Sequence, residues 1–231
     1  MNKQKSSPPL QGQPMTAYGL QRRNMLKFLG ASAAVITIGN ACSNDDNPPP
    51  VSTGVNLGSG DIGVLNYAYA LEQLEAAFYL RVASTPYANI TATETAYLND
   101  IRDHEVAHRE FFKAVLAGNA IAGLEVDFST INFADRNSVL TTARTFEDLG
   151  VSAYNGAGKL LTDPANLGFA GKIVSVEARH AATIRELLQL NTFADTTDAN
   201  GLDPALAPPA VLAAAGTFIK TKINASNLPT S

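Results

Sequence analysis

Two of the three histidines in this chain stand three residues after a glutamate, as Glu105-Val-Ala-His108 and Glu177-Ala-Arg-His180. With so few glutamates and histidines in the chain, coincidence gives two such pairs only roughly once in two hundred sequences. On a helix, positions i and i+3 share a face, so each pair offers a carboxylate oxygen and an imidazole nitrogen to one point. Apolar residues flank both pairs on that face: Ile101 and Phe112 around the first, Ile173 and Ile184 around the second. A charged pair inside a core-facing stripe is costly unless something compensates it, and a metal ion is an obvious compensator. Both segments are therefore read as helices that turn these pairs inward.

Two further segments match each other. Leu71-Glu72-Gln73-Leu74-Glu75 and Phe146-Glu147-Asp148-Leu149-Gly150 align Glu with Glu and Leu with Leu, and Tyr79 and Tyr154 follow seven residues after those glutamates. Their offset is 75 residues, close to the 72 that separates the two Glu-x-x-His pairs. The body thus reads as a duplicated helical hairpin. Each copy carries a Glu, then a Tyr at +7, then Glu-x-x-His about 30 residues on.

End signals delimit the helices. Gly60-Asp61 offers an N-cap for the first, which ends near Thr85-Pro86. Thr91 with Glu94 forms a capping box for the second, which runs to Gly118-Asn119. The third starts near Asn137-Ser138 and reaches Leu161; Asp163-Pro164 opens the fourth, which runs to about Leu190. A shorter, Ala-rich fifth helix is expected from Pro208 to about Ile223. Short links make each pair an antiparallel hairpin, whereas the link from Gly118 to Asn137 is long enough to travel the whole bundle. The fold class expected is all-α: a four-helix bundle of two hairpins with a long crossover, plus a short C-terminal helix.

One Glu from each of two helices plus Glu-x-x-His from each of the other two resembles the ligand set of the ferritin-like di-iron and di-manganese carboxylate proteins. The resemblance covers about residues 61–190, and within the superfamily the exported ferritin-like domain proteins related to desiccation-related proteins look nearest. It implies two Fe or Mn ions held by Glu72, Glu105, His108, Glu147, Glu177 and His180, with Glu105 and Glu177 bridging and Glu72 and Glu147 terminal. Four carboxylates and two neutral imidazoles would leave two divalent ions with no net charge, and such hard donors suit Fe or Mn. Glu75 shares a face with Glu72 and stands as an alternative or extra ligand, although its duplicate is Gly150. His104, Asp103 and Arg179 read as surface or supporting groups. Tyr79 and Tyr154 read as core aromatics whose hydroxyls bond a ligating carboxylate.

The first 41 residues have a different character. They carry Lys3, Lys5, Arg22, Arg23 and Lys27 and no acid, which leaves 12 basic against 21 acidic residues for the rest. An acidic body argues against a nucleic-acid partner. Arg22-Arg23-Asn24-Met25-Leu26-Lys27 precedes a mild apolar run, Phe28 to Ile38, too short to span a membrane. This resembles a twin-arginine export signal, with Met25 where Phe is usual. Cys42 follows Gly39-Asn40-Ala41 and looks like a bacterial lipoprotein acylation site, although Gly39 stands where Leu is usual. The organisation expected is a signal peptide over 1–41, a disordered tether over 42–60 lipidated at Cys42, the bundle over 61–190, and a C-terminal loop and helix over 191–231. That places the protein in the periplasm or cell envelope, with the membrane as partner through its anchor.

A single cysteine excludes a disulfide framework, a Cys-ligated zinc site and an iron–sulfur cluster. Any electron donor must then be external. The function expected is redox chemistry of a dinuclear centre with O₂ or peroxide, in an oxidase or peroxidase. The competing reading is a non-catalytic metal-binding, stress-protective or structural bundle. Neither reading fixes the oligomeric state, and a homo-oligomer is compatible with both.

Overall fold

The computed structural model describes residues 54–230. The twin-arginine motif, Cys42 and most of the expected tether lie outside them. In chain order the elements are β1 (Val55–Asn56), α1 (Gly60–Ser84), α2 (Ala92–Leu116), α3 (Arg136–Ala157), α4 (Pro164–Leu188), α5 (Pro208–Ala215) and β2 (Ile223–Asn224). Single 3₁₀ turns at Ala117–Asn119 and Gly158–Leu160 tighten the ends of α2 and α3.

The caps follow local chemistry. The Glu94 amide donates to Thr91 Oγ1 (3.1 Å) while the Thr91 amide donates to Glu94 Oε2 (2.9 Å), which closes the expected capping box. Asp163 accepts from the Ala165 amide (2.8 Å) with Pro164 in the first turn. The third helix begins slightly earlier than expected because Asp135 is its cap, accepting from Ser138 (2.7 Å). Asp61 does not cap α1. Its carboxylate reaches the loop before α4 and accepts from the Thr162 amide and hydroxyl (both 2.8 Å), the Asp163 amide (3.0 Å) and Asn166 (2.9 Å).

Every residue of α1 from Gly63 to Ala76 is buried, whereas α2 buries one stripe, chiefly Leu98, Ile101, Glu105, Phe112 and Leu116. The difference is one of position: α1 is covered on all sides. It pairs with α2, as α3 does with α4, and both hairpins are antiparallel. At one end of the bundle Asn66, early in α1, donates to the Asn119 carbonyl just past α2 (2.9 Å). At the opposite end Arg136, opening α3, donates to Glu94 Oε1 and to the Leu187 carbonyl (2.6 Å each). The segment 120–135 joins these ends, so the crossover expected from its length is present. It runs along α1, which holds it with side-chain amides: Asn66 Oδ1 accepts from Ile121 (3.0 Å) and Gln73 Oε1 from Leu124 (2.8 Å). Further on, Phe78 packs against Phe128 and Phe133, and edge-on against Tyr79 and Phe146 in the core.

The C-terminal segment departs from expectation. α5 stops at Ala215, and residues beyond it find backbone partners far away instead of continuing as helix. The Asp127 amide donates to the Phe218 carbonyl and the Lys220 amide to the Glu125 carbonyl, each at 2.8 Å. β2 then pairs in parallel with β1, Val55 opposite Ile223. The end of the segment read as a tether therefore belongs to the folded unit: Leu57 is 0% exposed. Before α5, the chain crosses α3 so closely that a Cβ at Gly156 would lie 1.8 Å from the Leu206 carbonyl oxygen. Among the described residues no helix is long and apolar enough to cross a membrane.

Candidate metal centre

The six residues singled out by their spacing meet at the middle of the bundle. Glu72 comes from α1, Glu105 and His108 from α2, Glu147 from α3, and Glu177 and His180 from α4. The four carboxylates are fully buried, and His108 keeps 12% of its side-chain exposure. His108 Nδ1 lies 2.9 Å from Glu177, 3.4 Å from Glu72 and 3.8 Å from Glu105. His180 Nδ1 repeats the pattern at 2.8 Å from Glu105, 3.4 Å from Glu147 and 3.8 Å from Glu177. Two four-residue groups result: Glu72, Glu105, His108 and Glu177, and Glu105, Glu147, Glu177 and His180. Glu105 and Glu177 belong to both.

These atoms converge at ion-pair distances but not along hydrogen-bond directions. Both oxygens of Glu105 and of Glu177, Oε2 of Glu72 and of Glu147, and Nδ1 of both histidines are buried with no aligned hydrogen-bond partner. Buried polar atoms are almost always satisfied, so eight orphans at one place need a common partner. Metal cations fit that donor set of hard oxygens and imidazole nitrogens.

The outer oxygens are satisfied, and the partners are exchanged between the copies. Tyr79 donates to Glu147 Oε1 at 2.5 Å, and Tyr154 donates to Glu72 Oε1. Each hydroxyl fixes one oxygen of an end carboxylate and leaves the other facing the centre.

The charges push one another far from their ordinary protonation ranges. Burial and the neighbouring Glu177 carboxylate hold Glu105 well above the carboxylate range. Burial also raises Glu72, against the nearby His108, and takes Glu147 up to about 7, against His180. Glu177 lies between both imidazoles, and despite its burial they draw it down to about 2. Burial alone would lower the two histidines, but the carboxylates around them win and take His108 and His180 up to about 12. Protons on the imidazoles thus stand where the carboxylates call for cations.

Two residues left open by the sequence take definite places. Glu75 is 4% exposed and lies outside both four-residue groups. It fills the space left by Gly150, where a Cβ would lie 3.0 Å from Glu75 Oε1 and 3.6 Å from Glu177 Oε2. Burial and the surrounding carboxylates, Glu105 foremost, hold it well above the carboxylate range. His104 is exposed on one side, yet its Nδ1 lies 2.9 Å from His180 Nε2. Asp103 and Arg179 are surface groups: Asp103 pairs with Arg102 (2.9 Å), and Arg179 donates to the Ser175 carbonyl (2.7 Å). Buried Arg185 pairs with the half-buried Asp148 (2.5 Å) and ties α4 to α3, a contact with no periodic signature in the sequence.

A family model described as the ferritin-like domain matches residues 60–190, more than half of the chain. No curated protein matches the chain. The matched stretch spans all four long helices, the crossover and every residue of both acidic–histidine groups. With a bundle of two hairpins, an end-to-end crossover and a buried carboxylate–histidine cluster that is compatible with a metal site, the chain belongs to the ferritin-like domain family.

Proposed function

We propose that this is an exported ferritin-like protein that holds a dinuclear Fe or Mn centre and carries out redox chemistry with O₂ or peroxide. What supports the reading most is the convergence of eight unpartnered buried atoms in two groups that share Glu105 and Glu177. Glu105 and Glu177 would bridge, and Glu72 with His108 and Glu147 with His180 would complete the two ends. When bound, the metals supply electrons to the oxidant and open positions at which it docks. The chain's own part is to hold the ligands. Tyr79 and Tyr154 fix the end carboxylates, and the apolar stripes of α2 and α4 exclude water around them. The single cysteine leaves electron supply to an external donor.

Export by the twin-arginine route and lipid anchoring at Cys42 belong to the same proposal, supported by the Arg22-Arg23 leader and the polar stretch after Cys42. Fractionation of cells that produce Cys42→Ser tests the anchor: the variant moves from the membrane to the soluble envelope fraction.

Elemental analysis of the full chain purified without chelator, beside a Glu105→Ala/Glu177→Ala double variant, tests the centre. Close to two Fe or Mn per chain, lost in the variant, is the expected result. Peroxide and O₂ consumption by the loaded protein then separates an oxidase or peroxidase from a stress-protective metal binder without turnover. Failure to take up either metal after anaerobic reconstitution refutes the reading.

A further inference from the structure

The two halves of the centre are built alike on the inside and differently on the outside. His180 turns Nδ1 inward, where it approaches Glu105 and Glu147 without forming an aligned hydrogen bond. Its other nitrogen, Nε2, lies 2.9 Å from Nδ1 of His104. The two rings are tilted by only 10°, with centroids 5.1 Å apart. That separation is too wide for rings in face contact. With near-parallel planes and a short N···N distance, it fits an N–H of one ring meeting the in-plane lone pair of the other.

A neutral imidazole that offers its Nδ1 lone pair to a cation carries its one proton on Nε2, and that proton needs an acceptor. His104 Nδ1 supplies one. Acceptance fixes both tautomers, since His104 must then keep its own proton on Nε2. A pocket of about 170 Å³ lies over this pair, lined by Tyr97, Asp100, Arg179 and Thr183 beside the two histidines. His104 therefore links a buried residue of the cluster to a surface recess.

The other half has no such link. At the repeat offset of 72, the residue matching His104 is Val176, which has no acceptor to offer. Among the described residues, no side chain or backbone group bonds to Nε2 of His108. Water alone can serve it, at the 12% of the side chain that stays exposed.

We propose that His104 is a positioning residue that locks His180 in the Nε2–H tautomer and so makes the His180 half the tighter of two unequal cation positions. The inference rests on the dinuclear reading above. Removal of the hydrogen-bond partner of a ligating histidine typically weakens a metal site about 10–100-fold. The exposure of His104 lets it be replaced without opening the core.

The test is stepwise titration of the full chain, metal-free, with Mn(II) and, anaerobically, with Fe(II), following free metal. His104→Phe keeps a ring but has no acceptor; His104→Asn places a carbonyl oxygen near the lost Nδ1. The expected result is two unequal steps in the natural chain. His104→Phe then weakens the tighter step about 10–100-fold and leaves the weaker one in place, and His104→Asn restores most of the difference. Equal steps in the natural chain, or a His104→Phe titration that superimposes on it, overturn the proposal. A second measurement separates this inference from the dinuclear reading. In ¹⁵N-histidine-labelled, metal-free protein, a through-hydrogen-bond ¹⁵N–¹⁵N coupling between His104 Nδ1 and His180 Nε2 is expected. If the natural chain takes up no metal, the dinuclear reading fails, and this coupling decides the positioning contact: its presence supports the contact and its absence overturns it.

Discussion

If the cluster takes up two cations as proposed, uptake must displace protons, and the charges around the imidazoles set the least number. Each Nδ1 has three carboxylates within 4 Å, at 2.9, 3.4 and 3.8 Å for His108 and at 2.8, 3.4 and 3.8 Å for His180. Those neighbours outweigh burial and take both imidazoles up to about 12, so at pH 7 each carries two protons. A cation at Nδ1 replaces one of them. Filling both positions therefore releases at least two protons, and the overall association constant for the pair climbs by about 100-fold per pH unit or more. That equals about 2.7 kcal/mol per pH unit. The metal-free fold responds in the opposite sense. A histidine raised above its unfolded value of about 6.5 contributes stability that is complete below that value and is lost as pH rises toward 12. Between pH 6.5 and 8 the metal-free protein should thus weaken while its affinity for divalent ions grows. Anaerobic Mn(II) titration in weak buffer with a pH-indicating dye counts the protons, and thermal melts across pH 6–8 with and without metal follow the two trends. Release of less than one proton per two ions at pH 7, or an affinity flat with pH, refutes the charge balance assigned to the cluster.

Other expectations follow from single contacts. Tyr79→Phe and Tyr154→Phe each remove a donor to a buried carboxylate, so each should cost about 1.5–3 kcal/mol in urea unfolding of the metal-free chain. Unchanged midpoints would show the hydroxyls to be idle. Asp61 accepts four hydrogen bonds from Thr162, Asp163 and Asn166; these outweigh its slight desolvation and hold it well below the usual carboxylate range. Asp61→Ala should cost about 1–2 kcal/mol at pH 7, less than four bonds suggest because solvent screens the site. The natural residue's contribution is present above the unfolded value and is lost as pH falls through the depressed one, so variant and natural chain converge in strong acid. Equal stability at pH 7 counts against the contact. Gly156→Ala gains up to about 1 kcal/mol of helix propensity but drives a methyl into the Leu206 backbone, for a net loss of about 1–3 kcal/mol. Exchange of the Leu206 amide, bonded to the Ser152 carbonyl at 2.9 Å, should accelerate, and unaltered exchange would refute the clash.

Sequence reading succeeded where the cause is local. Thr91 and Glu94 cap one another across three residues, and Glu105 and His108 share a face because a helix repeats every 3.6 residues; neither depends on the rest of the chain. The duplication carried the reading across the bundle, because it put Glu72 and Glu147 in equivalent places before any contact was known. It failed where partners are remote. Val55 pairs with Ile223 in strands of two residues, too short for any alternation to show. Asp61 resembles a cap from its position, yet its partners lie 101 to 105 residues away. The sequence also tied each tyrosine to a carboxylate without saying which. The crossed pairing of Tyr79 with Glu147 and Tyr154 with Glu72 needs α1 and α3 side by side and antiparallel.

Departures from the repeat carry as much information as the repeat itself. The residues that build the two acidic–histidine groups occur in both copies, whereas Glu75 faces Gly150 and His104 corresponds to Val176. The first departure is matched across the bundle: one copy adds a buried carboxylate where the other gives up a Cβ. A glycine inside a helix costs about 1 kcal/mol relative to alanine, and alanine at 150 would press on Glu75 Oε1 at 3.0 Å. The pair makes sense only if the space is kept for the carboxylate. The second departure has the same character, since an acceptor stands behind His180 and the residue that matches it in the other copy, Val176, has none. A symmetric scaffold accounts for the presence of two acidic–histidine groups. The unmatched residues make those groups different from each other, and on the proposed dinuclear reading two cation positions that differ would fill in order.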